Sequence, residues 1–309
     1  MRSVIINRYG GPDVLEVVEQ QTPEPAADEV RIQVAGAALN PADAALRAGA
    51  FASVLGQRFP LGIGWDVAGM IDAVGPGVAD VRIGDPVVGL LNGFGVASGT
   101  HASHVLLPAA SVAPAPKDVD LVSAATFGLN ALTADQALDL LDLADGATLV
   151  VTGAAGGVGD YAVALGAQRG LRVIGVARES DEADVRASGA AEFVTRTNGL
   201  AGAVRALVPD GANAVLDAAQ LGATALGAIR DGGTFVAVTD PSEPESERGI
   251  RVATVHVQPD GARLADLSQG VDAGWLRLRV AASYPLADAA PAHRAIEQGG
   301  IRGRIVLVP

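Results

Sequence analysis

The run Thr148-Leu-Val-Val-Thr-Gly-Ala-Ala-Gly-Gly-Val-Gly159 sends an apolar, β-type segment straight into closely spaced glycines and then into a helical pattern. Tyr161, Val163, Ala164 and Ala167 follow at helical spacing, and a second apolar segment, Leu171 to Val176, completes a βαβ unit. In such a unit the strand delivers the backbone to a turn that needs glycine. Gly156 lets the main chain approach a pyrophosphate, and Gly159 lets the following helix pack against the strand. The helix then points its free N–H groups at the phosphates. The pattern predicts a dinucleotide as ligand; an ordinary βα turn with crowded glycines is the alternative.

Working outward, the 309 residues are 49% hydrophobic, enough for two cores or one large one and too apolar for disorder. No apolar stretch approaches the ~20 residues needed to span a bilayer, and Met1-Arg-Ser leads into a strand pattern and not a signal segment, so a cytoplasmic protein is expected. The chain has no cysteine, which removes disulfides, thiol nucleophiles and thiolate-bound metals together. A net charge of -13 argues against nucleic acid and anionic membranes as partners, because both need a concentrated basic face.

From Val4 to about Leu107 short strand patterns are split by Gly and Pro, and Glu29-Val-Arg-Ile-Gln-Val34 alternates polar and apolar residues as a half-buried strand does. This part reads as mostly antiparallel β. From about Leu121 helical segments alternate with the apolar strands Leu149–Val151, Val173–Val176, Ala214–Leu216 and Thr234–Val238, a pattern that predicts a doubly wound parallel sheet. Asp240 to Arg248 reads as a charged, Pro-broken surface connection. Two helical patterns and two strands follow Ala262, too few for a domain, and are expected to pack back onto an earlier one.

Several motifs stand in a definite order: Tyr9-Gly-Gly-Pro-Asp-Val-Leu15, Asn40-Pro-Ala-Asp-Ala-Ala-Leu-Arg-Ala-Gly49, Gly64-Trp-Asp-Val-Ala-Gly69, Gly84-Asp85, Ala131-Leu-Thr-Ala134, the glycine turn, and Gly303-Arg-Ile-Val-Leu307. Together they resemble the medium-chain dehydrogenase/reductase superfamily, in its zinc-free quinone oxidoreductase (zeta-crystallin-like) branch. The resemblance implies an α/β protein: a Rossmann doubly wound parallel sheet over 121–261, plus a GroES-like, mostly antiparallel β catalytic domain from 1–120 and 262–309. It also implies an active site in the cleft between them and a homodimer through the last Rossmann strand, about Val252 to Val257.

Many relatives of that superfamily are zinc alcohol dehydrogenases, which need a Cys and a His beside the nicotinamide. This chain has no Cys, and Trp65 stands where the zinc branch has His, so no metal is expected. His101 and His104 are close in sequence, but their odd spacing in a strand-like stretch points them to opposite faces, as partly exposed residues.

The second strand of the βαβ unit ends Val176-Ala-Arg-Glu-Ser180, with Arg178 where an NAD-specific fold places Asp or Glu. A planar guanidinium suits a 2′-phosphate, so NADP(H) is the expected cofactor, unless Glu179 neutralises Arg178 or Arg178 is a solvated surface charge. The resemblance draws the cofactor site from Gly153, Ala155, Gly156, Gly157, Val158 and Gly159 in the turn. To these it adds Ala177, Arg178 and Ser180 at the second strand, Val238 at the end of the Thr234–Val238 strand, and Asn130 and Thr133.

In this branch hydride passes to an electron-poor carbon, while the protein orients the reactants and accommodates negative charge on oxygen. Asn40 and Asp43 are the candidate catalytic residues. Asn40 either donates to the oxyanion or makes an Asx turn before Pro41; Asp43 either donates a proton or pairs with Arg47 four residues on. Ala45 replaces a Tyr common in quinone reductases, and Trp65, Phe51, Phe59 and Phe94 are candidate lining of an altered pocket. The implied function is NADPH-dependent reduction of a quinone or α,β-unsaturated carbonyl. The alternatives are a trans-acting enoyl reductase of a polyketide-type pathway, and a dinucleotide-binding sensor or structural protein.

Overall fold

The computed structural model, which describes residues 1–196 and 199–309, turns the alternating amino-terminal part into short strands. These are β1 (Arg2–Ile6), β2 (Leu15–Glu19), β3 (Glu29–Leu39), β4 (Leu61–Gly62), β5 (Asp66–Val74), β6 (Pro86–Leu90), β7 (His104–Pro108) and β8 (Val112–Pro114), with helices α1 (Pro41–Ala48), α2 (Ala52–Leu55) and α3 (Leu121–Ala124). Strand β3 shows the pattern at work. Val30, Ile32 and Val34 are buried, and Glu29, Arg31 and Gln33 take the opposite face. Past Val34 both faces close over, and Ala37, Ala38 and Leu39 are all buried. Pro41 starts α1 with its φ already helical, and Gly49 ends it at φ 93, a left-handed conformation costly for other residues.

The central segment contains α4 (Gly128–Leu141), β9 (Thr148–Thr152), α5 (Gly157–Gln168), β10 (Arg172–Ala177), α6 (Glu182–Ala187), β11 (Glu192–Thr195), α7 (Leu200–Leu207), β12 (Ala212–Asp217), α8 (Ala223–Leu226), β13 (Ile229–Ala237) and β14 (Arg251–Thr254). Its sheet is parallel throughout, in the order β11-β10-β9-β12-β13-β14. That is the doubly wound Rossmann order, with the direction of winding reversing beside β9. Val150, Ile174, Val215 and Phe235 are fully buried, as strands covered on both faces require. The 240–248 segment does more than connect. Arg248 donates to the main-chain oxygens of Leu226 and Ile229 at 2.6 and 3.0 Å and to Asp231 at 2.8 Å, which ties the segment to α8 and β13.

The chain then forms α9 (Gly261–Asp272), β15 (Val280–Pro285), α10 (Ala289–Gln298) and β16 (Arg304–Val308). Strand β16 runs antiparallel to β3, with Ile305 opposite Leu39, and extends a sheet ordered β15-β16-β3-β5-β6-β8. Under α10, Val4, Leu39, Leu286, Ala292, Ile305 and Leu307 make one apolar cluster from both chain ends. Two compact units result: Met1–Leu129 with Gln258–Pro309, and Asn130–Val257. Residues 121–129 group with the first unit, where 121–261 was expected to be continuous, because α3 lies against β3 and the Leu129 N–H bonds to Asp66. No helix among the described residues is long and apolar enough to cross a membrane.

Candidate cofactor and catalytic sites

In the second unit, Gly153 leaves β9 at φ 62, and Gly156 turns back to donate its N–H to the Gly153 carbonyl at 2.8 Å. Gly156 is the N-cap of α5, and no side chain caps that helix end. The first-turn N–H groups are therefore open to an anion. At Gly159 a Cβ would stand 2.1 Å from the Gly153 oxygen and 2.7 Å from its carbon, so only glycine allows the helix to lie this close to the strand end. Ala154 is fully buried, whereas Gly156 is exposed and Ala155, Gly157 and Val158 are partly so. The turn thus presents backbone outward from a fixed base, which is the form a pyrophosphate cradle takes.

Neighbouring polar groups hold that base. Thr152 donates to Asp217 at 2.5 Å across β9 and β12, and Asp217 accepts the Gly222 N–H at 2.8 Å. Ala177 ends β10 beside the turn, and Arg178 and Ser180 follow as exposed residues. The Arg178 guanidinium makes no ion pair or hydrogen bond among the described residues, and Glu179 does not neutralise it. Val238 is the first residue beyond β13, at the same carboxyl edge of the sheet. Asn130 and Thr133 lie nearly one turn apart on α4, 5% and 7% exposed.

In the first unit, three motifs distant in sequence meet in a buried polar network. Asn40 is the N-cap of α1, and Asp43 reaches back to accept the Asn40 main-chain N–H at 2.7 Å. The Asn40 amide donates to Asp66 Oδ2 at 2.8 Å, and its oxygen accepts from Arg304, which also donates to the Leu39 carbonyl at 3.0 Å. Asp66 accepts the Leu129 N–H at 2.5 Å on its other oxygen. The Asn40 amide nitrogen, which could meet a substrate oxyanion, thus already donates to Asp66 and, at 3.4 Å, to the Ala38 carbonyl. Burial is the largest influence on both acids. It raises the Asp43 carboxyl from 3.8 to about 7, against the Asn40 N–H and the Arg304 charge, and Asp66 to about 6, against Arg304 and Asn40. Sequence reading quoted Asp66 and Arg304 only as parts of motifs. Arg304 is a charged residue opening the otherwise apolar β16, and Asp66 is a charged residue opening the apolar run Val67–Ile71; those are the signals available.

Two expectations are corrected here. Asp43 and Arg47 do not pair: Asp43 turns back to the helix start, while Arg47, 1% exposed, bonds to Glu297 of α10. His101 is not a partly exposed strand residue. It is fully buried because its segment is bonded to β1, through Val4 N–H at 2.8 Å, and to the Ile63 carbonyl at 2.9 Å. Burial pushes its imidazole down to about 4. His104 alone fits the expectation, partly exposed and 3.5 Å from Asp72. Of the four aromatics, Phe94 meets Phe51 and Trp65 edge-on at ring distances of 4.9 and 4.8 Å, whereas Phe59 packs apart from them against Tyr9.

Known proteins resemble this chain in both sequence and fold. Residues 26–117 match the alcohol dehydrogenase GroES-like domain, and residues 188–307 match the zinc-binding dehydrogenase family. The chloroplastic NADPH-dependent alkenal/one oxidoreductase of Arabidopsis thaliana is 29% identical, over 100% of this chain and 80% of that protein. A solved NAD-dependent alcohol dehydrogenase superposes with a TM-score of 0.87 at 30% identity, covering 100% of both chains. The quinone oxidoreductase of Coxiella burnetii gives 0.88 at 26% identity, over 100% of this chain and 99% of that one. With the Rossmann strand order, the glycine turn and the Asn40, Asp66 and Arg304 motifs in place, the chain belongs to the medium-chain dehydrogenase/reductase superfamily, in its quinone oxidoreductase branch.

Proposed function

We propose that this oxidoreductase uses NADPH to reduce a quinone or an α,β-unsaturated carbonyl compound, without zinc and as a cytoplasmic homodimer. The observation that carries the reading is the uncapped, glycine-rich turn at the reversal point of the parallel sheet, with Arg178 at the end of the adjacent strand making no ion pair among the described residues. Gly156, Gly157, Val158 and Gly159 would hold the pyrophosphate by main-chain N–H groups, and Gly153 and Ala155 shape the turn. Ala177, Arg178 and Ser180 would surround the adenosine ribose and its phosphate, with Val238, Asn130 and Thr133 toward the nicotinamide. When bound, NADPH supplies a hydride from its nicotinamide ring to an electron-poor carbon.

Zinc independence is supported by the chain's own residues. There is no cysteine, Trp65 occupies the place of a ligand His, and the described residues contain no cluster of three or more His, Cys, Asp and Glu suited to a metal. We assign Asn40 and Asp43 as positioning residues that lock the end of β3 to Asp66 and Arg304; Asp43 also keeps a proton close to neutral pH. Among the described residues strand β14 pairs with β13 alone, and its other edge is the surface we assign to the dimer. The test follows the absorbance of enzyme-bound NADPH against a panel of quinones and enones. Oxidation by at least one compound is expected. Tight NADPH binding with no oxidation by any of them would refute the reductase and favour a sensor.

A further inference from the structure

The parallel pairing of β10 with β11 sets Ala177 opposite Thr195, and the ladder continues one step further, the Arg196 N–H donating to the Ala177 carbonyl at 2.6 Å. Arg178 and Arg196 are therefore the first residues beyond two neighbouring strand ends, on chains that run about 4.8 Å apart. Both are exposed, and neither guanidinium has an ion-pair or hydrogen-bond partner among the described residues. The arginines of β10 and α6 differ. Arg172 is held by Glu192 at 2.6 Å, and Arg186 by Glu182 at 2.8 Å. Glu179, next along from Arg178, pairs with neither Arg178 nor Arg196. In a chain of net charge -13, two neighbouring cations without an ion-pair partner among the described residues favour an external anion at that point.

We propose that Arg196 and Arg178 together form a two-guanidinium seat for the 2′-phosphate of NADPH, which makes Arg196 a cofactor-specificity residue. The inference rests on the dinucleotide reading above and deepens it. One arginine beside a carboxylate can be a solvated surface charge. Two guanidiniums rooted on adjacent strand ends can grip a phosphate dianion from two sides, each offering planar, charge-assisted donors. Sequence reading overlooked Arg196 because it stands 18 positions from Arg178, and only the strand register makes them neighbours.

The experiment measures dissociation constants of NADPH, NADH, 2′,5′-ADP and 5′-ADP for the full-length protein and for Arg196→Ala, Arg196→Lys and Arg178→Ala. Arg196→Ala is expected to weaken NADPH and 2′,5′-ADP by roughly ten- to a hundredfold, as loss of a charged hydrogen bond does, with NADH and 5′-ADP unchanged. Arg196→Lys should recover part of the loss, and the salt dependence of NADPH binding should flatten in Arg196→Ala. Equal weakening of all four ligands, or of none, overturns the role of Arg196. A parent protein that binds NADH as well as NADPH overturns the seat but leaves the dinucleotide site standing, whereas one that binds none of the four overturns both.

Discussion

Replacing Asp43 with Asn tests the buried network most directly, because Asn keeps the side chain's shape and an acceptor for the Asn40 N–H but cannot ionise. Burial raises the Asp43 carboxyl from 3.8 to about 7 in the folded protein. A group raised in this way contributes stability that is complete below about pH 4 and is lost as pH climbs through 7, because the unfolded chain releases the proton earlier than the folded one. Between pH 5 and pH 7 the loss is roughly 1.4 kcal/mol per pH unit, about 3 kcal/mol in all. Asp43→Asn lacks this loss, so relative to the parent it should gain about 3 kcal/mol from pH 5 to pH 8. The assay is urea unfolding at several pH values, followed by tryptophan emission. Trp65 and Trp275 both belong to the unit that contains Asp43, so the signal reports that unit. Parallel pH curves for the two proteins would refute the reasoning and mean that Arg304 holds Asp43 ionised throughout the range.

Gly159→Ala places a methyl 2.1 Å from the Gly153 oxygen; it should abolish measurable dinucleotide binding and cost about 1–3 kcal/mol of stability, both read by titration and melting. Asn40→Ala leaves Asp66 and Arg304 each short of a buried partner, and a stability loss of about 1–3 kcal/mol in urea unfolding is expected. Unchanged stability with turnover reduced by ~10²-fold would instead make its amide an oxyanion donor. Burial pushes His101 down to about 4, so its contribution is present above pH 6.5 and lost on acidification toward pH 4; His101→Gln should flatten that acid limb of the stability curve. Activity, once a substrate is found, should survive exhaustive chelation. Loss of activity together with about one released zinc per chain would overturn the zinc-free reading.

Local pattern was enough for much of this protein. The apolar strand, the glycines and the helical spacing after Thr148 determined the turn, since a parallel strand buried on both faces must be apolar, and the contact of α5 with the end of β9 leaves no room for a Cβ at Gly159. The alternation in Glu29–Val34 likewise determined a half-buried strand. Which polar residues meet was decided only by tertiary structure. Nothing near Asn40 in the chain announces Asp66 or Arg304; β5 and β16 bring them there by pairing on either side of β3. The helical spacing of Asp43 and Arg47 made a pair geometrically possible, but Asp43 bonds to the start of α1 and Arg47 to Glu297, 250 positions away. His101 and Arg196 follow the same rule. Burial and strand register are properties of the assembled sheets, and they, more than residue type or local spacing, decide whether a side chain is a buried neutral ring or half of a phosphate seat.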